Sequence, residues 1–188
     1  MPTTWAILIV VLWAVVLLEM ALLLALYRQV GIVYLGQAPA RARDGLPLLA
    51  LSPRWHGRDH RGNDISSDMF SGRPLLLVFA DPNCGPCQTL MPDLHDFATA
   101  HADDVGVVVA ASADERANRQ MAERYFLDVP VVGQENRVLA DRFRVTVTPF
   151  MFLIDDEGRI RDKGIVNGRG QLEEKLAKLK PQVLEGVT

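Results

Sequence analysis

Cys84-Gly85-Pro86-Cys87 holds both cysteines of the chain, and their spacing allows one reaction above others. Thiols at i and i+3 can close into a small disulfide when the second opens the first turn of a helix. The first then sits at the helix N-terminus, where unpaired N–H groups and the helix dipole favour a thiolate. Gly85 keeps the approach uncrowded, and Pro86 can occupy an early helical position where its missing N–H is no loss. A structural disulfide around so short a loop would constrain the unfolded chain little. A zinc site needs two further ligands, and His56, His60, His95 and His101 show no second pair at a suitable spacing. The expectation is therefore a redox-active pair, with Cys84 as nucleophile and Cys87 as resolving thiol, and with no metal and no cofactor beyond the disulfide itself.

The flanks supply the elements such a pair requires. Pro74 to Ala80 is a short apolar run that reads as a buried strand, and Gln88 to Ala102 reads as a helix. Val105–Ala111 has the β-branched enrichment of a buried parallel strand. Asp114 to Tyr125 reads as a helix charged on one side, Val129–Val132 as a brief extended piece, and Val138–Phe143 as one or two helical turns. Phe150–Ile154 and Ile160–Ile165, separated by Asp155-Asp156-Glu157-Gly158, read as a hairpin, followed by an amphipathic helix over Gln171 to Leu179. Ahead of these, Trp55 to Ile65 reads as a glycine-containing hairpin and Ser66 to Gly72 as a short turn or helix. The order predicts an α/β domain with a central mixed sheet flanked by helices.

The front of the chain differs. Trp5 to Tyr27 is an almost unbroken apolar run, long enough as a helix to cross about 30 Å of hydrocarbon. Trp5 and Tyr27 bracket it as interface anchors do, and Arg28 follows. A cleaved signal peptide fits less well, because no Lys or Arg precedes the run and Ala38-Pro39-Ala40 lies too far downstream. The organisation expected is an N-terminal transmembrane anchor over 1–28, a juxtamembrane tether over 29–46 and a globular domain over 47–188. Arg28, Arg41 and Arg43 would by the positive-inside rule keep the domain cytoplasmic, whereas disulfide chemistry favours the outer side. The extracytoplasmic side, periplasmic in a bacterium with an outer membrane, is the placement expected. Glu19, inside the span, reads as tolerated in the membrane rather than as a partner contact. A net charge of −3 over 188 residues gives no reason to expect nucleic acid as a partner.

With the elements in order, residues 45–185 resemble the thioredoxin superfamily. The resemblance rests on Cys84-Gly85-Pro86-Cys87, on Pro92 where the family's active-site helix is kinked, and on Thr148-Pro149 before the strand Phe150-Met151-Phe152-Leu153-Ile154. It implies that Thr148-Pro149 is a cis bond lying against the disulfide, and that the backbone before Pro149 pairs with an extended substrate. Thr148, Pro149, Gly85 and Pro86 are then the expected substrate-binding residues. Ser71-Gly72-Arg73-Pro74, Phe79-Ala80-Asp81-Pro82-Asn83-Cys84 and the anchor resemble the membrane-tethered TlpA/ResA-like branch. Arg28 to Tyr34, followed by Ala38-Pro39-Ala40, further resembles methylamine utilisation protein MauD and its relatives, a family implicated in maturing a periplasmic quinoprotein dehydrogenase with a disulfide-rich small subunit.

Two positions depart from the pattern. Leu77 is placed where thioredoxin has a buried acid assisting the second cysteine, and Asn83 replaces the usual tryptophan before the first. Asp81 is the nearest acidic candidate for proton acceptor, set against a plain role as a solvated loop residue. The resemblance implies a protein-disulfide oxidoreductase acting on a cysteine-containing protein substrate and recharged by a membrane redox partner. The competing readings are a thiol peroxidase of the same fold, for which Asp81 stands where Thr is expected, a copper-delivery module, and a redox-inert membrane scaffold.

Overall fold

The computed structural model describes residues 2–134 and 137–179, with the side chains of 2–3 and 26–43 left undescribed. The chain divides into two units, residues 1–43 and 44–188.

The first unit is one helix, α1, Pro2–Arg43. Within it Thr4–Ala25, 22 residues holding an 18-residue window of mean hydropathy 3.0, is long and apolar enough to cross a membrane. At 1.5 Å per residue this stretch spans about 33 Å. The helix continues to Arg43 through most of the segment expected to be the juxtamembrane tether. Ala38, Ala40, Arg41, Ala42 and Arg43 are strong helix formers, and the helix runs on through Gly31, Gly36 and Pro39 against their low propensity.

The second unit is built on a five-stranded sheet of order β5-β4-β3-β6-β7. A two-stranded hairpin, β1 (His56–Arg58) and β2 (Asp64–Ser66), leads through a 3-10 turn at Ser67–Phe70 into the central strand β3, Leu75–Ala80. The helix α2 (Gly85–Ala100) follows, then β4 (Gly106–Ala111), α3 (Glu115–Arg124), β5 (Val131–Gly133) and α4 (Val138–Phe143). The hairpin β6 (Phe150–Ile154) and β7 (Ile160–Ile165) and the helix α5 (Arg169–Ala177) complete it. β3 runs parallel to β4, and β4 to β5, whereas β6 is antiparallel to both β3 and β7. This is an α/β thioredoxin-like fold.

Every residue of β3, β4 and β6 is buried, because both faces of the sheet are covered. On one face Leu76, Val78 and Ala80 pack with Leu90, Met91, Leu94 and Phe97 of α2 and with Leu172 and Leu176 of α5. On the other, Leu75, Leu77 and Phe79 pack with Trp55, with Phe143 of α4 and with Phe150 and Phe152. Phe79, Phe143 and Phe152 form a ring cluster with centroids 5.1–6.0 Å apart, within the range of favourable edge and tilted contacts.

Candidate active site

The site lies where β3 ends and α2 begins. Asp81 turns the chain out of the strand: its Oδ1 accepts the Asn83 N–H at 2.8 Å, and its carbonyl accepts the Cys84 N–H at 3.0 Å. Gln88 pins the same loop from the helix, donating Nε2–H to the Pro82 carbonyl at 2.7 Å. Cys84 is the N-cap of α2, and its Sγ accepts the Cys87 N–H at 3.4 Å. An orphan donor of the first turn thus points at the first sulfur. Gly85 and Pro86 occupy the first two helical positions, with Pro86 where no amide hydrogen is required. Both cysteines are free thiols; Cys84 is partly exposed and Cys87 fully buried.

Thr148-Pro149 is a cis peptide bond. The Cys84 thiol donates to the Thr148 carbonyl across 3.6 Å, so the loop before β6 meets the start of α2 at the first sulfur. Thr148 is half-buried and Pro149 buried.

Burial pushes the Cys87 thiol up to about 12, and its hydrogen bond with Cys84 adds to that; donors from the Asp81 main chain and the Thr148 side chain pull weakly the other way. The two thiols therefore differ in access. Cys84 is open to solvent and held by a helix N-terminus, and Cys87 is kept protonated behind it.

The strand position facing the second cysteine needs correction. Leu77 points to the face holding Trp55 and Phe143; Val78 is on the face that holds Cys87. No acid occupies either position, so the environment of Cys87 on β3 is apolar. The Asp81 carboxylate is engaged with the Asn83 amide, and it is the Asp81 main chain that reaches Cys87.

On the α3 side of the Cys84 loop, a groove of about 240 Å³ is lined by residues including Asn83, Gln88, Gln120, Arg124 and Tyr125. That is smaller than the roughly 300–1,000 Å³ of pockets that enclose a small ligand. Among the described residues no group of three or more His, Cys, Asp or Glu side chains is arranged to hold a metal ion.

Sequence reasoning missed Asp44. Its side chain is 7% exposed and accepts from the Thr146 N–H and hydroxyl and from the Val147 N–H, just before Thr148. Nothing local announces this, since the partners lie about a hundred residues downstream.

A strand, a helix-opening CxxC pair and a cis X–Pro loop meeting at the first sulfur define a thioredoxin-superfamily site in a fold of the ResA/DsbE/TlpA kind. The chain belongs to the AhpC/TSA family, whose profile matches residues 48–163. Among curated proteins it is 30% identical over 172 residues to the methylamine utilization protein MauD of Methylophilus methylotrophus, covering 87% of this chain and 79% of that one. It is 27% identical to the thiol-disulfide oxidoreductase ResA of Bacillus thuringiensis, over 69% of this chain and 77% of that one. Among solved structures, the thioredoxin domain of a thiol-disulfide oxidoreductase from Bacteroides vulgatus superposes with a TM-score of 0.63 at 22% identity, covering 70% of this chain and 99% of that one.

Proposed function

We propose that the protein is a membrane-anchored thiol-disulfide oxidoreductase acting on cysteines of extracytoplasmic proteins. The observation that carries this is the asymmetry of the pair: Cys84 partly exposed beside the Thr148 carbonyl, and Cys87 buried and held as the thiol.

In the reducing direction, Cys84 thiolate attacks one sulfur of a substrate disulfide. The substrate S–S bond breaks, a Cys84–substrate disulfide forms, and the displaced substrate sulfur leaves as thiolate and takes a proton. Cys87 then gives up its proton to water and attacks Cys84 Sγ, breaking the Cys84–substrate S–S bond. The second substrate sulfur is released, the substrate has gained two electrons, and Cys84–Cys87 is a disulfide. A membrane redox partner returns the two electrons. The reverse sequence oxidises a substrate dithiol. Thr148 and Pro149 form the wall along which an extended substrate pairs, Gly85 and Pro86 open the helix beneath it, and Asp81 shapes the turn.

The apolar span in α1 supports the anchor, and thiol exchange supports placing the domain on the extracytoplasmic side. The likeness to MauD proteins supports a client of matching chemistry: the disulfide-rich subunit of a periplasmic quinoprotein dehydrogenase such as methylamine dehydrogenase.

The test is catalysis of insulin disulfide reduction by the full-length protein in detergent, with dithiothreitol as reductant and peroxide consumption measured in parallel. Accelerated reduction that is abolished in Cys84→Ala, without peroxide turnover, is expected. Peroxide turnover without disulfide reduction would replace the reading with a thiol peroxidase.

A further inference from the structure

The residues that follow α1 in sequence are built into the active-site loop. Asp44 turns both carboxylate oxygens onto Thr146 and Val147: Oδ1 accepts the Thr146 N–H at 3.0 Å and its hydroxyl at 2.7 Å, and Oδ2 lies 3.2 Å from the Thr146 nitrogen and 3.4 Å from that of Val147. The main chain beside it continues the attachment. Gly45 N–H donates to the Arg144 carbonyl at 2.8 Å and Leu46 N–H to the Phe143 carbonyl at 3.0 Å. From β7, Lys163 Nζ donates to the carbonyls of Asp44 and Gly45 at 2.7 and 3.0 Å. Gly45 has φ +76, and a Cβ there would lie 2.7 Å from the Phe152 ring and 2.9 Å from that of Phe150. The segment is therefore wedged against the residue that follows Pro149 and hydrogen-bonded to the residues that precede Thr148.

We propose that Asp44 is a positioning residue for substrate pairing: through Thr146 and Val147 it sets where the Thr148 backbone stands relative to Cys84. A buried carboxylate must have its oxygens satisfied, and these are satisfied by the loop whose next residue carries the carbonyl at 3.6 Å from Cys84 Sγ. With the carboxylate gone, Thr146 and Val147 lose their acceptor and the carbonyl loses its fixed height, while the helix N-terminus that holds Cys84 is untouched. The inference rests on the oxidoreductase reading and deepens it by naming what aligns the substrate.

The experiment uses pre-reduced full-length protein in detergent micelles, with a disulfide-closed synthetic peptide in excess, so that rate against peptide concentration gives a half-saturating concentration and a limiting rate. Alkylation of Cys84 by iodoacetamide, which uses no loop backbone, is the second readout. Displacements of an ångström can cost up to about a hundredfold in rate; here the half-saturating concentration is expected to rise about tenfold in Asp44→Ala and less in Asp44→Asn and Thr146→Val. The alkylation rate should stay within about twofold in all three. Should Asp44→Ala fail to fold, the other two variants decide. Unchanged half-saturation in the folded variants, or an equal loss of alkylation, overturns the inference. A wild-type protein that reduces no peptide disulfide would instead remove the oxidoreductase reading on which the inference rests.

Discussion

The sulfur of Cys84 lies 3.6 Å from the carbonyl oxygen of Thr148, a residue 64 positions further along the chain. That contact joins the helix that holds the nucleophile to the loop that would hold the substrate. A thiol at this place has a neighbouring backbone acceptor and an open side. A disulfide approaching from solvent can meet the sulfur while its own backbone pairs beside Thr148.

The first prediction concerns which thiol reacts. Cys87, pushed up to about 12, remains protonated near neutral pH, and its side chain is fully buried. A short iodoacetamide pulse on reduced protein at pH 7, read by peptide mass spectrometry, should modify Cys84 and leave Cys87 almost unlabelled. Equal labelling would contradict the assignment.

A second prediction follows from the same raised value. The unfolded chain releases the Cys87 proton from about pH 8.5 upward, whereas the folded protein holds it until about 12. The folded state binds more protons across that window, so this contribution to stability is complete below pH 8.5 and is lost as pH rises towards 12. Denaturant midpoints of the reduced protein should therefore fall more steeply above pH 8.5 than those of Cys87→Ala. Parallel curves would count against a buried, protonated Cys87.

Asp81 supplies a third. Its Oδ1 accepts the Asn83 amide, a job that an asparagine oxygen can also perform. Asp81→Asn should keep disulfide reduction within about twofold, and Asp81→Ala should lose about 1 kcal/mol of stability. A rate loss of tenfold or more in Asp81→Asn would make the carboxylate the proton acceptor of the site.

Phe79→Ala tests the separation of the two sheet faces. Phe79 is fully buried between Phe143 and Phe152, on the side away from Cys87. Its truncation should cost about 3–5 kcal/mol in chemical denaturation. At temperatures where the variant is folded, alkylation of Cys84 should match wild type.

How much could be read beforehand depends on range. The strand, the CxxC pair and the helix are contiguous, and each carries its own signal: an apolar run, a spacing and a helix-opening proline. The strand that faces Cys87 was harder to read in register. In a doubly covered strand such as Leu75–Ala80 both faces are apolar, so no alternation distinguishes Leu77 from Val78. Asp44 was illegible for a different reason. Its meaning depends on Thr146, 102 residues away, and a lone Asp-Gly after a basic stretch resembles ordinary linker chemistry. The continuation of α1 to Arg43 was obscured by glycines and by Pro39, which punctuate that segment as loop residues do.

Trapping tests the central claim most directly. With Cys87→Ala the first exchange proceeds and the second cannot, so the full-length protein expressed in a bacterial host should accumulate disulfide-linked to extracytoplasmic proteins through Cys84. Non-reducing electrophoresis and mass spectrometry should find adducts that vanish on reduction and are missing from Cys84→Ala,Cys87→Ala. No adducts in Cys87→Ala, or adducts that persist without Cys84, would contradict the account.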